Sequence, residues 1–395
     1  MTTDAPPFLP FARPSITDRE KEAVLAVLDS GWLTTGERTR TFEARFAEFT
    51  GARHALALNS ATAALHLALE ALGVDEGDEV IVPTWTFAAS AEVVAYRRAK
   101  PVLVDVEAAT LNATPEAIRA AVTPRTKAVI VVHVGGRPME IEGLVRALDG
   151  TGVAIVEDTA HAFPSRVGGA GGRLAGRFGA IGAYSFYATK TITTGEGGML
   201  VTDDDALADR TRLMSLHGIS RNAWNRYTAA GSWFYEIEDV GYKYNLTDLA
   251  AALGIVQLER AEELLEARRA LARGYAERIG ASSVADLVEL PADAPDGSHA
   301  WHLFIVRLAL ERLAIDRAAV IEGLKGCGIG TSVHFIPLHL HPYYRDRWGY
   351  RPEDLPVAAR EFERVVSLPI WPGMTDGDLD RVADALESVL AGARR

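Results

Sequence analysis

Cysteine is almost missing: Cys327 is the single one in 395 residues. That excludes an internal disulfide and any cysteine-based zinc cluster. Clustered positive charge is missing too. The net charge is −12, and Lys and Arg nowhere form a block. Nucleic acid and acidic membrane surfaces are therefore not expected partners, because both are held by concentrated basic charge. An anionic small molecule remains open, since a local pocket can bind one whatever the global balance. No apolar run is long enough to span a bilayer. The opening MTTDAPPFLPFARP lacks the charged start and apolar stretch of a signal peptide, so the cytoplasm is the expected location. Internal repeats, low-complexity segments and a strand–GxGxxG–helix unit are also lacking, and the last absence argues against a dinucleotide-dependent oxidoreductase.

What is present is ordinary globular material, 48% apolar and 24% charged. A chain this long exceeds one compact core, so two domains are expected. The division falls between residues 1–250 and residues 251–395, the second part including a long connecting helix over 247–279. Short apolar runs recur as HALALN (54–59), EVIVP (79–83), PVLVDV (101–106), KAVIVVHV (127–134), GVAIVED (152–158), AIGAYSF (180–186) and GGMLVTD (197–203). Helical patterns such as TAALHLALEALG (62–73) and TPEAIRAAV (114–122) lie between them. Continuously apolar strands suit burial on both faces, which predicts an α/β fold with a mainly parallel sheet between helices. HAWHLFIVRL (299–308) then predicts the first strand of a smaller α/β domain, and GGAGGRLAG (168–176) a hairpin.

Ligands of such sheets gather at the carboxyl ends of the strands. Three strand ends carry chemistry. NSATAALHLAL (59–69) turns from strand into helix through Ser60 and Thr62, and free N–H groups at a helix start bind phosphate. A plain helix cap is the alternative. VEDTAHA (156–162) ends a buried strand on Glu157 and Asp158, where an acid is costly unless it meets a positive partner such as a pyridinium nitrogen. SFYATKTITTGEGG (185–198) places Lys190 just past a buried strand, and a partly desolvated lysine loses its proton readily.

In this order, with DSGWLTTG (29–36), DEVIVPTWTFAAS (78–90), GYKYNLTDLAAALG (241–254) and GIGTSVHFIPLHLHPYY (328–344), these blocks resemble the DegT-type sugar aminotransferases over nearly the whole chain. The resemblance implies the aspartate-aminotransferase fold and pyridoxal 5'-phosphate, with pyridoxamine 5'-phosphate as its amino form. It implies that Lys190 holds the cofactor as an imine and shuttles a proton, and that Asp158 faces the pyridine nitrogen. His161 would lie near the ring and Phe87 would stack on it. Ser60, Ala61, Thr62 and Ser185 would cradle the phosphate. L-Glutamate, returning 2-oxoglutarate, would be the amino donor to a nucleotide-linked keto sugar. A homodimer with shared active sites is implied as well.

One departure stands out. Many members read GYNYR where this chain has GYKYN, so Lys243 and Asn245 replace the Asn and Arg; one of the two would reach the phosphate of the neighbouring subunit. The variant block resembles the branch that acts on UDP-4-keto-pentose. Trp32, Thr34 and Thr35 either border the sugar or form a structural turn. Arg221, Trp224, Arg226 and Trp233 either meet the nucleotide or pack at the dimer interface. His334 and His339 are expected as pocket wall; with His341 they invite a metal reading, but no nearby acid or cysteine completes such a site, and no metal is expected. Two other readings share the fold: a sugar 3-dehydratase, in which histidine replaces the imine lysine, and a non-catalytic binding protein.

Overall fold

The computed structural model describes residues 7–169, 171–219, 234–294 and 296–395. Its central sheet takes five strands from the first 160 residues: β1 (His54–Leu58), β2 (Glu79–Pro83), β3 (Lys100–Val104), β4 (Thr126–Val132) and β5 (Ala154–Asp158). A small antiparallel hairpin follows, β6 (Arg166–Val167) with β7 (Arg173–Leu174), where the glycine-rich stretch lies. β8 (Ile181–Ser185) and β9 (Gly198–Thr202) return to the sheet, whose order is β1-β9-β8-β5-β4-β2-β3. β8, β5, β4, β2 and β3 pair in parallel, while β9 runs antiparallel to both its neighbours.

Helices cover both faces because alternate strand residues feed two cores. Val80, Val82, Ile130 and Val156 pack with the helix Ala61–Ala71, whereas Ile81, Val129, Val131 and Ile155 pack with Ile141 and Leu144 of the helix Ile141–Leu148. This is the expected α/β sandwich. A second sheet of three antiparallel strands, β10 (Val288–Glu289), β11 (Phe304–Leu308) and β12 (Val365–Leu368), has its own core.

Two expectations need correction. The long helix is two helices, Asp248–Glu259 and Ala261–Ala281, broken at Arg260. Arg260 is drawn to Glu20 (2.7 Å) and Glu263 (3.0 Å), and its ψ of 4° leaves the helical region. Along these helices the packing changes partners: Ala251, Ile255 and Leu264 join Phe42 and Phe46 of the first sheet's cover, while Leu271, Tyr275 and Ile279 join the second sheet. The segment 299–303 is not strand. Trp301 has φ +50°, which ends an extended run, so β11 begins at Phe304.

Since β9 reverses and β1 follows it, the carboxyl ends of β1, β2, β4, β5 and β8 all lie on one edge of the sheet. The start of β9 lies there too. Every candidate cofactor residue of the first 200 positions sits at or just beyond one of these ends.

Candidate active site

A cavity of about 460 Å³ opens on that edge. Its size suits a cofactor with part of a substrate. Ser60, Ala61 and Thr62 line it at the start of the helix Ala61–Ala71. Ser60 is the N-cap, its hydroxyl accepting from the Ala63 amide at 3.1 Å. The unpaired first-turn N–H groups next to it form an anion site by construction. Gly198 makes this turn possible: a Cβ there would lie 2.4 Å from the Ser60 carbonyl carbon and 2.6 Å from the Ala61 nitrogen.

Asp158 closes β5 and is buried. Its oxygens accept from the Ser90 hydroxyl (2.8 Å) and the Ala160 amide (3.1 Å), and no cation bonds to it among the described residues. Burial pushes its carboxyl above the usual range, against those two hydrogen bonds and the pull of Lys190. Lys190 reaches the same cavity from the loop after β8. Its Nζ lies 3.4 Å from His302 Nε2 and pairs with no carboxylate among the described residues. Burial brings the ammonium down to about 8; Asp158 opposes this and Arg268 reinforces it.

His161, buried, packs tilted against His302 (centroids 4.5 Å apart) and stacks on Phe335 (5.6 Å). Burial, with Lys190 adding to it, keeps the His161 ring far below its ordinary pKa. Phe87 lines the mouth, is 62% exposed and tilts against Phe335 at 6.0 Å. Ser185 ends β8 on the wall, and His334 lines the far side, its Nδ1 2.9 Å from Ser367 Oγ. Burial and Lys190 bring His334 down to about 4.

Other expected residues lie elsewhere. His339 is 1% exposed, with Nδ1 2.8 Å from Thr84 Oγ1; the expected pocket wall is instead an interior tie between the end of β2 and the turn Leu338–Leu340. Trp32, Thr34 and Thr35 do not line the cavity of their own chain. Trp32 Nε1 donates to the Thr35 carbonyl at 3.2 Å, and Asp248 caps the adjoining helix through Gly36 N (2.7 Å) and Thr39 N (2.9 Å). Lys243 is exposed and does not line this cavity, its carbonyl accepting from Asn59 Nδ2 at 3.3 Å, and Asn245 donates to Thr35 Oγ1 at 2.7 Å. Arg221, Trp224, Arg226 and Trp233 lie outside the described residues. Among the described residues no group of His, Cys, Asp or Glu could hold a metal ion, and no helix is long and apolar enough to cross a membrane. The sequence reading missed His302, Phe335 and Ser90. The first was hidden inside an assumed strand, though two histidines three apart before an apolar run were a visible signal.

The model of the DegT/DnrJ/EryC1/StrS aminotransferase family matches residues 14–387. The chain belongs to this family. It is similar to the spore coat polysaccharide biosynthesis protein SpsC of Bacillus subtilis, 44% identical over 387 residues and 98% of either chain. Among solved structures it resembles Spr1654 from Streptococcus pneumoniae in its PLP form, with 31% identity, 98% and 99% of the two chains covered and a TM-score of 0.89. Spr1654 is also solved in a PMP form. DesI in the presence of its TDP-sugar product is 34% identical, with 98% and 94% covered and a TM-score of 0.83. The protein is thus a pyridoxal-phosphate-dependent sugar aminotransferase with the fold of this family.

The cavity fits that cofactor on its own evidence. Among the described residues Asp158 is a buried acid with no hydrogen-bonded cation and Lys190 an amine with no hydrogen-bonded acid, and the Ser60 turn opens a helix whose first-turn N–H groups face the same cavity.

Proposed function

We propose that the protein moves the amino group of L-glutamate onto a nucleotide-linked 4-keto sugar, the nucleotide being UDP or dTDP. One observation carries this reading: Lys190, Asp158 and the Ser60 turn face a single cavity at one edge of the sheet. The family membership and the TDP-sugar product seen with DesI support the sugar nucleotide. The GYKYN block supports the 4-keto position.

The cofactor, when bound, withdraws electrons from the carbon that loses its proton and carries the amino group between substrates. This chain's residues do the rest. Lys190, with a pKa of about 8, holds a useful fraction of free amine at neutral pH and moves the proton from the donor's Cα. Asp158 would hold a proton on the ring nitrogen. Ser60, Ala61, Thr62 and Ser185 would bind the phosphate, and Phe87 and His161 would pack against the ring. His334 borders the substrate. Donor and acceptor use one cavity in turn, so the first product leaves before the second substrate enters. Parallel double-reciprocal plots are expected; intersecting ones would contradict the scheme.

The protein acts as a homodimer in which Lys243 or Asn245 of one subunit reaches the phosphate in the other. That neither residue lines the cavity of its own chain, and that Phe87 at its mouth is exposed, supports this. Mixing Lys190→Ala with Lys243→Ala, Asn245→Ala subunits should restore turnover in hybrid dimers; no restoration would contradict sharing. The substrate is tested with a panel of UDP- and dTDP-linked 3-keto and 4-keto sugars plus glutamate, read by mass spectrometry. Conversion of a 4-keto member to its amine is expected, and conversion of 3-keto members alone would overturn the assignment.

A further inference from the structure

Arg268 is a buried cation near the site that the reaction above leaves unused. It is 2% exposed, on the helix Ala261–Ala281, and no carboxylate bonds to it among the described residues. Its partners are four backbone carbonyls. Nη1 donates to Ile370 (2.9 Å), Trp301 (3.3 Å) and His302 (3.3 Å), and Nη2 donates to Thr189 (3.4 Å). Nε has no partner. A buried charge held only by neutral dipoles is expensive, and a fold retains one where the charge or its reach is used.

We propose that Arg268 is a positioning residue for Lys190, gripping the backbone on both sides of the Lys190 amine, at Thr189 and at Trp301–His302. This rests on the reading of Lys190 as the amine that holds the cofactor. Thr189 directly precedes Lys190, and His302 is the side chain touching its Nζ. One guanidinium therefore fixes both members of the contact, although they come from separate parts of the chain. Trp301 is held in a left-handed conformation at φ +50°, which β11 alone would not impose, and its carbonyl is one of the four gripped. Gly136 makes room for the same bend, since a Cβ there would meet the Trp301 and His302 nitrogens at 3.0 Å.

The charge adds to the grip. Lys190 is faced by Asp158 and His161 from the end of β5, by His302 from the segment before β11, by His334 from the loop before Leu338, and by Arg268. Of these Asp158 alone favours the ammonium. Burial first, and Arg268 with it, favour the free amine. The same burial holds Arg268 itself down to about 10.

The test uses the full chain with Arg268→Lys, Arg268→Met and Lys190→Ala. In cofactor-free protein, an amine-acetylating reagent applied across pH and read on the Lys190 peptide by mass spectrometry reports the amine's midpoint. Wild type should titrate near 8. Arg268→Met should move the midpoint up, as expected on removing a like charge nearby. Arg268→Lys keeps the charge but cannot span four carbonyls. It should hold the midpoint and lower kcat about tenfold, with little change in KM for the sugar nucleotide. Wild-type kcat in Arg268→Lys overturns the proposal, even if Arg268→Met fails to fold; so does an unmoved midpoint in a folded Arg268→Met. If Lys190→Ala is inactive while both Arg268 variants match wild type, this inference alone fails. If Lys190→Ala turns over normally, the proposed function fails.

Discussion

Glu157 and Asp158 are neighbours on β5, project to opposite faces of the sheet, and meet different surroundings. Glu157 is fully buried and fully partnered. It accepts from the amides of Gly176 (2.8 Å), Phe178 (2.6 Å) and Gly179 (2.7 Å), and from His133 Nε2 (3.2 Å). His133 Nδ1 accepts from the Met139 amide at 3.1 Å, which leaves Nε2 to donate. Burial pushes the Glu157 carboxyl up, but these bonds outweigh it and hold the group below its ordinary value. Asp158, one residue on, keeps two neutral donors, faces an open cavity and is pushed the other way. The same chemical group at the same depth is architecture on one face and unfinished on the other. A buried acid marks a ligand site when its partners run out.

Four substitutions would break or sharpen that contrast. Lys190→Ala should reduce amino transfer at least about 10³-fold, since proton transfer and cofactor attachment go together, and leave the circular dichroism spectrum unchanged. Asp158→Asn comes next, with a loss of about 10²-fold in kcat. Its effect on stability runs the opposite way. The Asp158 pKa is raised in the folded chain, so its stabilising contribution is present below the ordinary 3.8 and is lost as pH rises through the folded value. At neutral pH the carboxylate burdens the cofactor-free protein, and the Asn variant should melt at the same temperature or higher.

Glu157→Gln should do the reverse, costing about 3 kcal/mol of stability while each folded molecule keeps its turnover. Its pKa is depressed, so its contribution is present above the ordinary 4.5 and is lost as pH falls below that. Denaturant midpoints of wild type and Glu157→Gln should therefore converge in acid. The smallest effect belongs to Ser60→Ala: about 1 kcal/mol from the helix cap, and weaker cofactor retention on dialysis. Retention equal to wild type would reduce Ser60 to a cap.

The contrast also marks what was legible in the sequence. Strand identity was written in apolar runs, and EVIVP at 79–83 became β2 with both bounds intact. Asp158, Lys190 and the Ser60 turn were visible because strand ends are where such sheets hold ligands. Less legible were features that depend on the second sheet meeting the first. His302 lay inside a run patterned like a strand, and the left-handed Trp301 that turns it aside has no local signal. Arg268 sits on a helix with three other arginines, Arg269, Arg273 and Arg278, and only packing separates the buried one from the rest. His339 failed in the other direction: in sequence it matched His334, yet its neighbour Leu338 is drawn into the core and carries it inside.

The central claim is that Lys190 is the amine that takes the cofactor, with Asp158 opposite it. Borohydride reduction of the protein loaded with pyridoxal 5'-phosphate, followed by peptide mapping, tests it most directly. The account predicts one phosphopyridoxyl label, on the peptide containing Lys190, and its loss in Lys190→Ala. A label on another lysine, with Lys190 unmodified, would contradict it.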